Sequence, residues 1–304
     1  MPRTILLFID GLGIGKQDPE VNPLFRAELP NLRSLLGGML PHSKAKRVSS
    51  RRAQAIPVNA TLGVPGLPQS GTGQTAIFTG VNGPKLFGRH FGPYPPTVLR
   101  PVIQEKNIFR QLKSYGKSVC FTNAFPKRFF EYTSEGTRRL TVTTLSCTMS
   151  GVNLLTGNDL KENRGISADF TRTRWPELGN PDVTPTTSRE AGKHLWNIAL
   201  DHDFTLFEYW LTDHAGHSQK MDLSVEVLER LDEFLGGFFD VFDDRSSSFI
   251  SISDHGNIED LSTKSHTRNP VPCIIAGKSR KKLADRIKNL THITPSIVKF
   301  LRES

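Results

Sequence analysis

The sequence predicts an α/β protein built on a mostly parallel sheet, and three observations carry that reading. Apolar, strand-like runs end on an acidic residue three times: residues 4–9 before Asp10, 204–211 before Asp213 and 249–252 before Asp254. Helical and strand patterns alternate over 107–122 and again from 188 onward. The chain has 304 residues, enough for one large α/β domain or one domain with an inserted cap, and its ordinary hydrophobic content supports a real core.

In chain order, residues 4–9 form the first strand and run into Asp10-Gly11-Leu12-Gly13-Ile14-Gly15. Ligands in open α/β sheets sit beyond the carboxyl ends of strands, which is where Asp10 falls. The glycine spacing does not match a dinucleotide fingerprint, so the glycines read as letting backbone pass close to a site. Residues 30–36 are a short helix with Asn31 near its cap, and 41–69, rich in Pro, Gly and basic residues, are mostly loop. Small residues from Gln69 lead into a helix over 72–79, whose N-terminus offers free N–H groups to an anion. There Ser70 is either a helix cap or a nucleophile, with Thr72 the rival hydroxyl. Residues 84–101, proline-rich around Gly88-Arg89-His90-Phe91-Gly92, are irregular chain that lines the site.

A helix over 107–115 and a strand over 117–122 continue the alternation. It lapses over 125–185, which reads as a cap-like insertion or long loops over the site. An amphipathic helix (188–201) and a strand (204–211) then lead to Thr212-Asp213-His214-Ala215-Gly216-His217. If that segment turns helically, Asp213 and His217 share a face and hold one ion, while His214 points elsewhere. A long helix (223–242), a strand (249–252), a strand (271–276), a basic helix (279–288) and a closing helix with Pro295 in its first turn complete the chain.

Asp254-His255, at the end of the 249–252 strand, joins a hard carboxylate to a borderline imidazole, with His266 in the next loop. The plainer alternative is a turn in which Asp254 caps a helix. Together the stretches supply Asp10, Ser70, Asp213, His217, Asp254, His255 and His266. One ion takes Asp213, His217 and His266; the other takes Asp10, Asp254, His255 and the Ser70 oxygen. Two such ions clamp the attacking and leaving oxygens of an in-line phosphoryl displacement. Carboxylates with histidines suit manganese, zinc or iron better than magnesium.

This constellation resembles the alkaline phosphatase superfamily, and within it the branch of cofactor-independent phosphoglycerate mutase and phosphopentomutase. The resemblance lies in Asp10-Gly11-Leu12-Gly13, in Asp213 with Gly216-His217, in Asp254-His255-Gly256-Asn257 and in His266-Thr267 with Asn269-Pro270-Val271-Pro272. It covers about 1–80 and 190–304 and not the middle. It implies a three-layer sandwich around a mostly parallel central sheet, two divalent ions (manganese or zinc) and phosphoryl transfer. Gln69-Ser70-Gly71-Thr72-Gly73-Gln74 departs from the mutase nucleophile segment by lacking its His, and the middle is too short for the mutase substrate domain. The expectation is therefore a phosphomonoesterase acting on a small phosphorylated metabolite through phospho-Ser70. A mutase, a phosphodiesterase or nucleotide pyrophosphatase, and a non-catalytic basic binding protein are the alternatives.

The charge of +9 fits an anionic substrate. Arg89 and Arg268, in loops near the motifs, are the candidate phosphate-binding arginines, with Thr72 beside them. The basic clusters at Lys44, Lys46, Arg47, Arg51 and Arg52 and at Lys278, Arg280, Lys281 and Lys282 lack any nucleic-acid-binding pattern, so no nucleic acid partner is expected. No apolar run reaches the roughly 18 residues of a membrane span. The apolar N-terminal run is too short for a signal peptide, and Cys120, Cys147 and Cys273 lack disulfide or metal spacing, so a cytoplasmic protein is expected.

Overall fold

Seven strands form one sheet: β1 (Thr4–Ile9), β2 (Val48–Ser49), β3 (Ala53–Val58), β4 (Val119–Phe121), β5 (Phe204–Tyr209), β6 (Ser248–Ile252) and β7 (Val271–Gly277). Their order is β2-β3-β7-β6-β1-β5-β4 in this computed structural model, which describes residues 3–134 and 139–303. β1 pairs in parallel with both β5 and β6, and β4 pairs in parallel with β5. β7 runs antiparallel to β6 and to β3, so the sheet is mixed but parallel at its centre.

Successive side chains of a strand face opposite sides, and β1 shows why both faces are covered. Ile5, Leu7 and Ile9 pack with Phe207, Tyr209 and Phe249 under helices Ser188–Ala199 and Met221–Val241. Leu6 and Phe8 pack with Leu206, Ile250 and Ile252 under helices Ser70–Thr79, Ile108–Ser114 and Ile293–Arg302. A near-continuous apolar run such as β1 is what a strand buried on both sides requires. The result is a three-layer α/β sandwich, as the resemblance implied.

Two local expectations change. The 41–69 stretch contains β3, whose pattern is broken by Pro57; that residue is tolerated because it sits opposite Pro272 of β7, in a pair that needs no N–H. Asn31 does not cap helix Pro30–Leu36; Asp232 of the long helix takes the Asn31 and Leu32 amides at 3.0 and 2.7 Å. The 125–185 stretch holds helices Lys127–Ser134, Val142–Met149 and Gly157–Lys161. Val142 and Leu145 join the core on one side of the sheet, and Phe170 stacks between Tyr209 and Phe234 on the other.

Candidate metal centre

The central parallel strands β6, β1 and β5 lie side by side, and their carboxyl ends deliver Asp254, Asp10 and the segment of Asp213. Each acid therefore arrives at one place because its strand is pinned by the neighbouring ladder. After β5 the chain turns into helix Leu211–Ser218, in which Asp213 and His217 are one turn apart. Thr212 Oγ1 donates to the Asp10 carbonyl at 2.5 Å, tying this helix to the end of β1.

Two groups of donor atoms result, each within 4.8 Å: Asp213, His217 and His266, and Asp10, Asp254 and His255. In the first, His217 Nδ1 donates to the Lys264 carbonyl at 2.9 Å and His266 Nδ1 to the Pro68 carbonyl at 2.8 Å. With both rings neutral, as metal ligands must be, those bonds leave the two Nε2 atoms as acceptors, 3.1 Å apart. Asp213 oxygens lie 3.4 Å from His217 Nε2 and 3.6 Å from His266 Nε2. Lone pairs converging in this way fit a cation. In the second group, Asp10 Oδ1, Asp254 Oδ2 and His255 Nδ1 are buried without a hydrogen-bond partner. His255 Nε2 faces Asp10 Oδ1 at 3.2 Å and Asp254 Oδ2 at 3.5 Å. Orphaned buried oxygens of this kind call for a metal ion. The stacked rings of His255 and His266, centroids 3.7 Å apart, make the two groups one centre.

Electrostatics follow from crowding. Burial and the neighbouring Asp254 hold Asp10 well above the usual carboxylate range, and burial likewise raises Asp254. For Asp213, burial is outweighed by hydrogen bonds from His217 and Asn257 and by the charge of His255, and it stays below that range. His255 resists its burial because Asp254, Asp10 and Asp213 surround it, and it rises to about 10. Burial and the charge of His255 push His266 down to about 4.

Ser70 is the first residue of helix Ser70–Thr79, after Gln69 at the cap position. Its hydroxyl is not used as a cap; Oγ lies 3.0 Å from His255 Nε2. Thr72 is committed elsewhere: its hydroxyl donates to the Gln69 carbonyl at 3.3 Å and accepts from the Phe91 amide at 3.1 Å. Residues 91–94 press on this helix, where a Cβ on Gly71 would lie 2.2 Å from the Tyr94 carbonyl oxygen. Arg89 is exposed with its guanidinium over the Phe87 and Phe91 rings, and Arg268 Nε donates to the Gly66 carbonyl at 3.1 Å. Neither arginine contacts the metal ligands by hydrogen bond or ion pair among the described residues.

Several supporting residues are not distinguished as such in the sequence. Glu259, 1% exposed, accepts from the Gly13 and Asn257 amides, Thr267 Oγ1 and Asn269 Nδ2, clasping the loop after β1 to both ends of the β6–β7 connection. Glu208 near the end of β5 is buried against Thr143 Oγ1 at 2.5 Å, and burial raises it to about 7. Asn257 Nδ2 donates to Asp213 Oδ1 at 2.6 Å and Gln74 Nε2 to Asp10 Oδ2 at 3.3 Å. Asn257 lies in a motif already noticed, and Gln74 sits one helical turn from Ser70; Glu208 and Glu259 were legible only as acids.

The sequence profile of the Metalloenzyme superfamily matches residues 2–303. The chain belongs to that superfamily. Members of that superfamily are metal-dependent phosphoryl-transfer enzymes, the sequence relatives are named as cofactor-independent phosphoglycerate mutases, and the fold is alkaline-phosphatase-like. A 2,3-bisphosphoglycerate-independent phosphoglycerate mutase of Pyrococcus abyssi is 22% identical over 311 aligned residues, which take in 89% of this chain and 70% of the mutase. The PH0037 protein of Pyrococcus horikoshii has a similar fold at TM-score 0.60 and 14% identity, covering 100% of this chain and 97% of its own. Alkaline phosphatase of the Antarctic bacterium TAB5 follows at TM-score 0.58 and 12% identity, covering 99% and 98%. The last two bear on the fold alone.

Proposed function

We propose that the chain is a binuclear metal-dependent phosphomonoesterase that works through a phospho-Ser70 intermediate on a small phosphorylated metabolite in the cytoplasm. The observation that carries this is the position of Ser70: its hydroxyl sits at a helix N-terminus and touches the second ligand group through His255. The amides of Ser70 and Gly71 make no hydrogen bond among the described residues, so they are free to receive a phosphoryl oxygen. Ser70 Oγ attacks phosphorus as the bond to the leaving oxygen breaks in line, and water later cleaves the Oγ–P bond. The metals, manganese or zinc by the donor set, supply when bound a lowered hydroxyl pKa and charge neutralisation at phosphorus. Asp213, His217 and His266 would hold one ion, and Asp10, Asp254, His255 and Ser70 the other.

We read 1–304 as one domain and 125–185 as the stretch that shields the site; Thr143 reaching Glu208 near Asp254 supports that. A mutase is the second reading, favoured by the printed names of the sequence relatives. The first test is phosphate release from an aryl phosphate with manganese or zinc, comparing the wild type with Ser70→Ala. The expected result is turnover that falls at least ~10³-fold in the variant. Turnover unchanged in Ser70→Ala would remove Ser70 as the nucleophile. Positional transfer of phosphate without release would favour the mutase.

A further inference from the structure

We infer that Trp210 and His214 form a platform on the open side of the metal-ligand helix, and that the substrate's leaving group is therefore ring-bearing rather than a linear alkyl chain. This rests on the phosphoryl-transfer reading of the same centre. The chain has three tryptophans. Trp175 is 3% exposed with Nε1 donating to Ser167 Oγ, and Trp196 is 7% exposed against Phe238 and Phe242. Trp210 is 45% exposed. A large indole left in water is the informative exception, because the same side chain elsewhere in this molecule finds a core.

Its position gives the exposure a meaning. Trp210 is the cap residue of helix Leu211–Ser218, directly after β5. Spacings of three and four put Trp210, Asp213, His214 and His217 on one face of that helix. Two of these are candidate ligands, and the side chain of His217 is itself 46% exposed, so the first ligand group opens to solvent on this face. A leaving group extending outward from phosphorus on that side passes Trp210. The ring of Trp210 meets His214 edge to face, centroids 6.3 Å apart and planes at 79°, and His214 is exposed as well. Neither residue belongs to a ligand group or an ion pair among the described residues.

The platform is also held still. Behind it, Tyr209 stacks on Phe170 at 4.5 Å and its hydroxyl donates to the Val227 carbonyl at 3.0 Å. Ahead of it, Thr212 is tied to the Asp10 carbonyl. Backbone pinned on both sides fixes the point from which the indole projects, and the His214 ring is its edge-to-face neighbour. An indole face stacks on a nucleobase or on the apolar face of a sugar ring. An imidazole beside it offers a hydrogen bond to the ring's edge.

The test compares kcat/KM for adenosine 5′-monophosphate, glucose 6-phosphate and glycerol 3-phosphate in the wild type, Trp210→Ala, Trp210→Phe and His214→Ala, each with manganese. The expected result is that the ratio of ring substrate to glycerol 3-phosphate falls about tenfold in Trp210→Ala, mostly through KM, and is largely kept in Trp210→Phe. Which ring substrate loses more tells a base from a sugar. An equal loss on all three substrates would make Trp210 merely structural and overturn the proposal. A second arm titrates adenosine 5′-monophosphate into manganese-loaded Ser70→Ala and follows tryptophan fluorescence, with Ser70→Ala/Trp210→Phe as control. Quenching that disappears in the control supports the platform even if no substrate is hydrolysed, an outcome that would sink the hydrolase reading alone. Quenching that survives in the control, or that follows protein concentration rather than nucleotide, overturns the platform.

Discussion

His255 has no exposed surface and faces the carboxylates of Asp254, Asp10 and Asp213. Burial alone would favour neutral imidazole, but those three acids outweigh it and carry the ring to about 10. In the metal-free protein at pH 7.5 His255 is thus an imidazolium, whereas a ligand must be neutral. His266 is the contrast, since at about 4 it is already neutral with Nε2 bare. Loading the centre therefore expels the His255 proton. The prediction is a release of about one proton or more per chain, read by calorimetry in buffers of different ionisation enthalpy. Metal affinity should also weaken steadily as pH falls from 8 to 6. A binding heat independent of the buffer would show that His255 is neutral before the metal arrives.

Among the elements, the loop after β1 and the long β6–β7 connection carry Asp10, Asp254, His255 and His266, and Glu259 ties the first loop to both ends of that connection. Its Oε2 takes the Gly13 and Asn257 amides at 2.9 and 2.7 Å, and its Oε1 takes Asn269 Nδ2 at 3.0 Å. Gly13 and Gly256 are required here, because a Cβ on either would lie 2.2 Å from Oε1. Glu259→Gln turns one acceptor oxygen into a donor facing donors. It should weaken metal binding by about 10- to 100-fold, the usual scale for a residue that orients ligands. It should also lower the melting temperature of the metal-free protein, since a buried donor is left unsatisfied. Unchanged metal affinity in the calorimeter would reduce Glu259 to a fold-stabilising residue. The contrast with the ligands shows what the sequence makes legible. Asp10, Asp213 and Asp254 stand out because each ends an apolar run, and Asp213 with His217 because of helical spacing. Glu259 and Glu208 are ordinary acids until the loops and Thr143 close on them. β3 is hidden for the reason that hides many edge-side strands: a proline within a short run, beside a basic turn, looks like loop until β7 supplies its ladder.

At the scale of the whole molecule, the sheet gathers Asp10, Asp213 and Asp254 into one place, with Asp10 and Asp254 buried, and that costs stability until cations arrive. Asp10 and Asp254 both titrate above the normal carboxylate range in the folded chain. A raised carboxylate binds more protons folded than unfolded, so the metal-free protein loses stability as pH climbs through and above the ordinary carboxylate range. Below that range the effect vanishes, because both states are protonated. Asp254→Asn keeps the shape and removes the charge. In chelator at pH 8 the variant should melt above the wild type, and at pH 4 the two should converge. Saturating manganese should reverse the order. An ion at about 1,000 times its dissociation constant adds about 4 kcal/mol, which for a chain of this size is on the order of 10 °C, and the variant forfeits most of that gain. The check is a thermal melt of both proteins across this pH range, with chelator and with manganese. A wild type that stays the more stable in chelator at pH 8 would mean that the His255 imidazolium outweighs the burial and mutual repulsion of the gathered carboxylates in the metal-free protein.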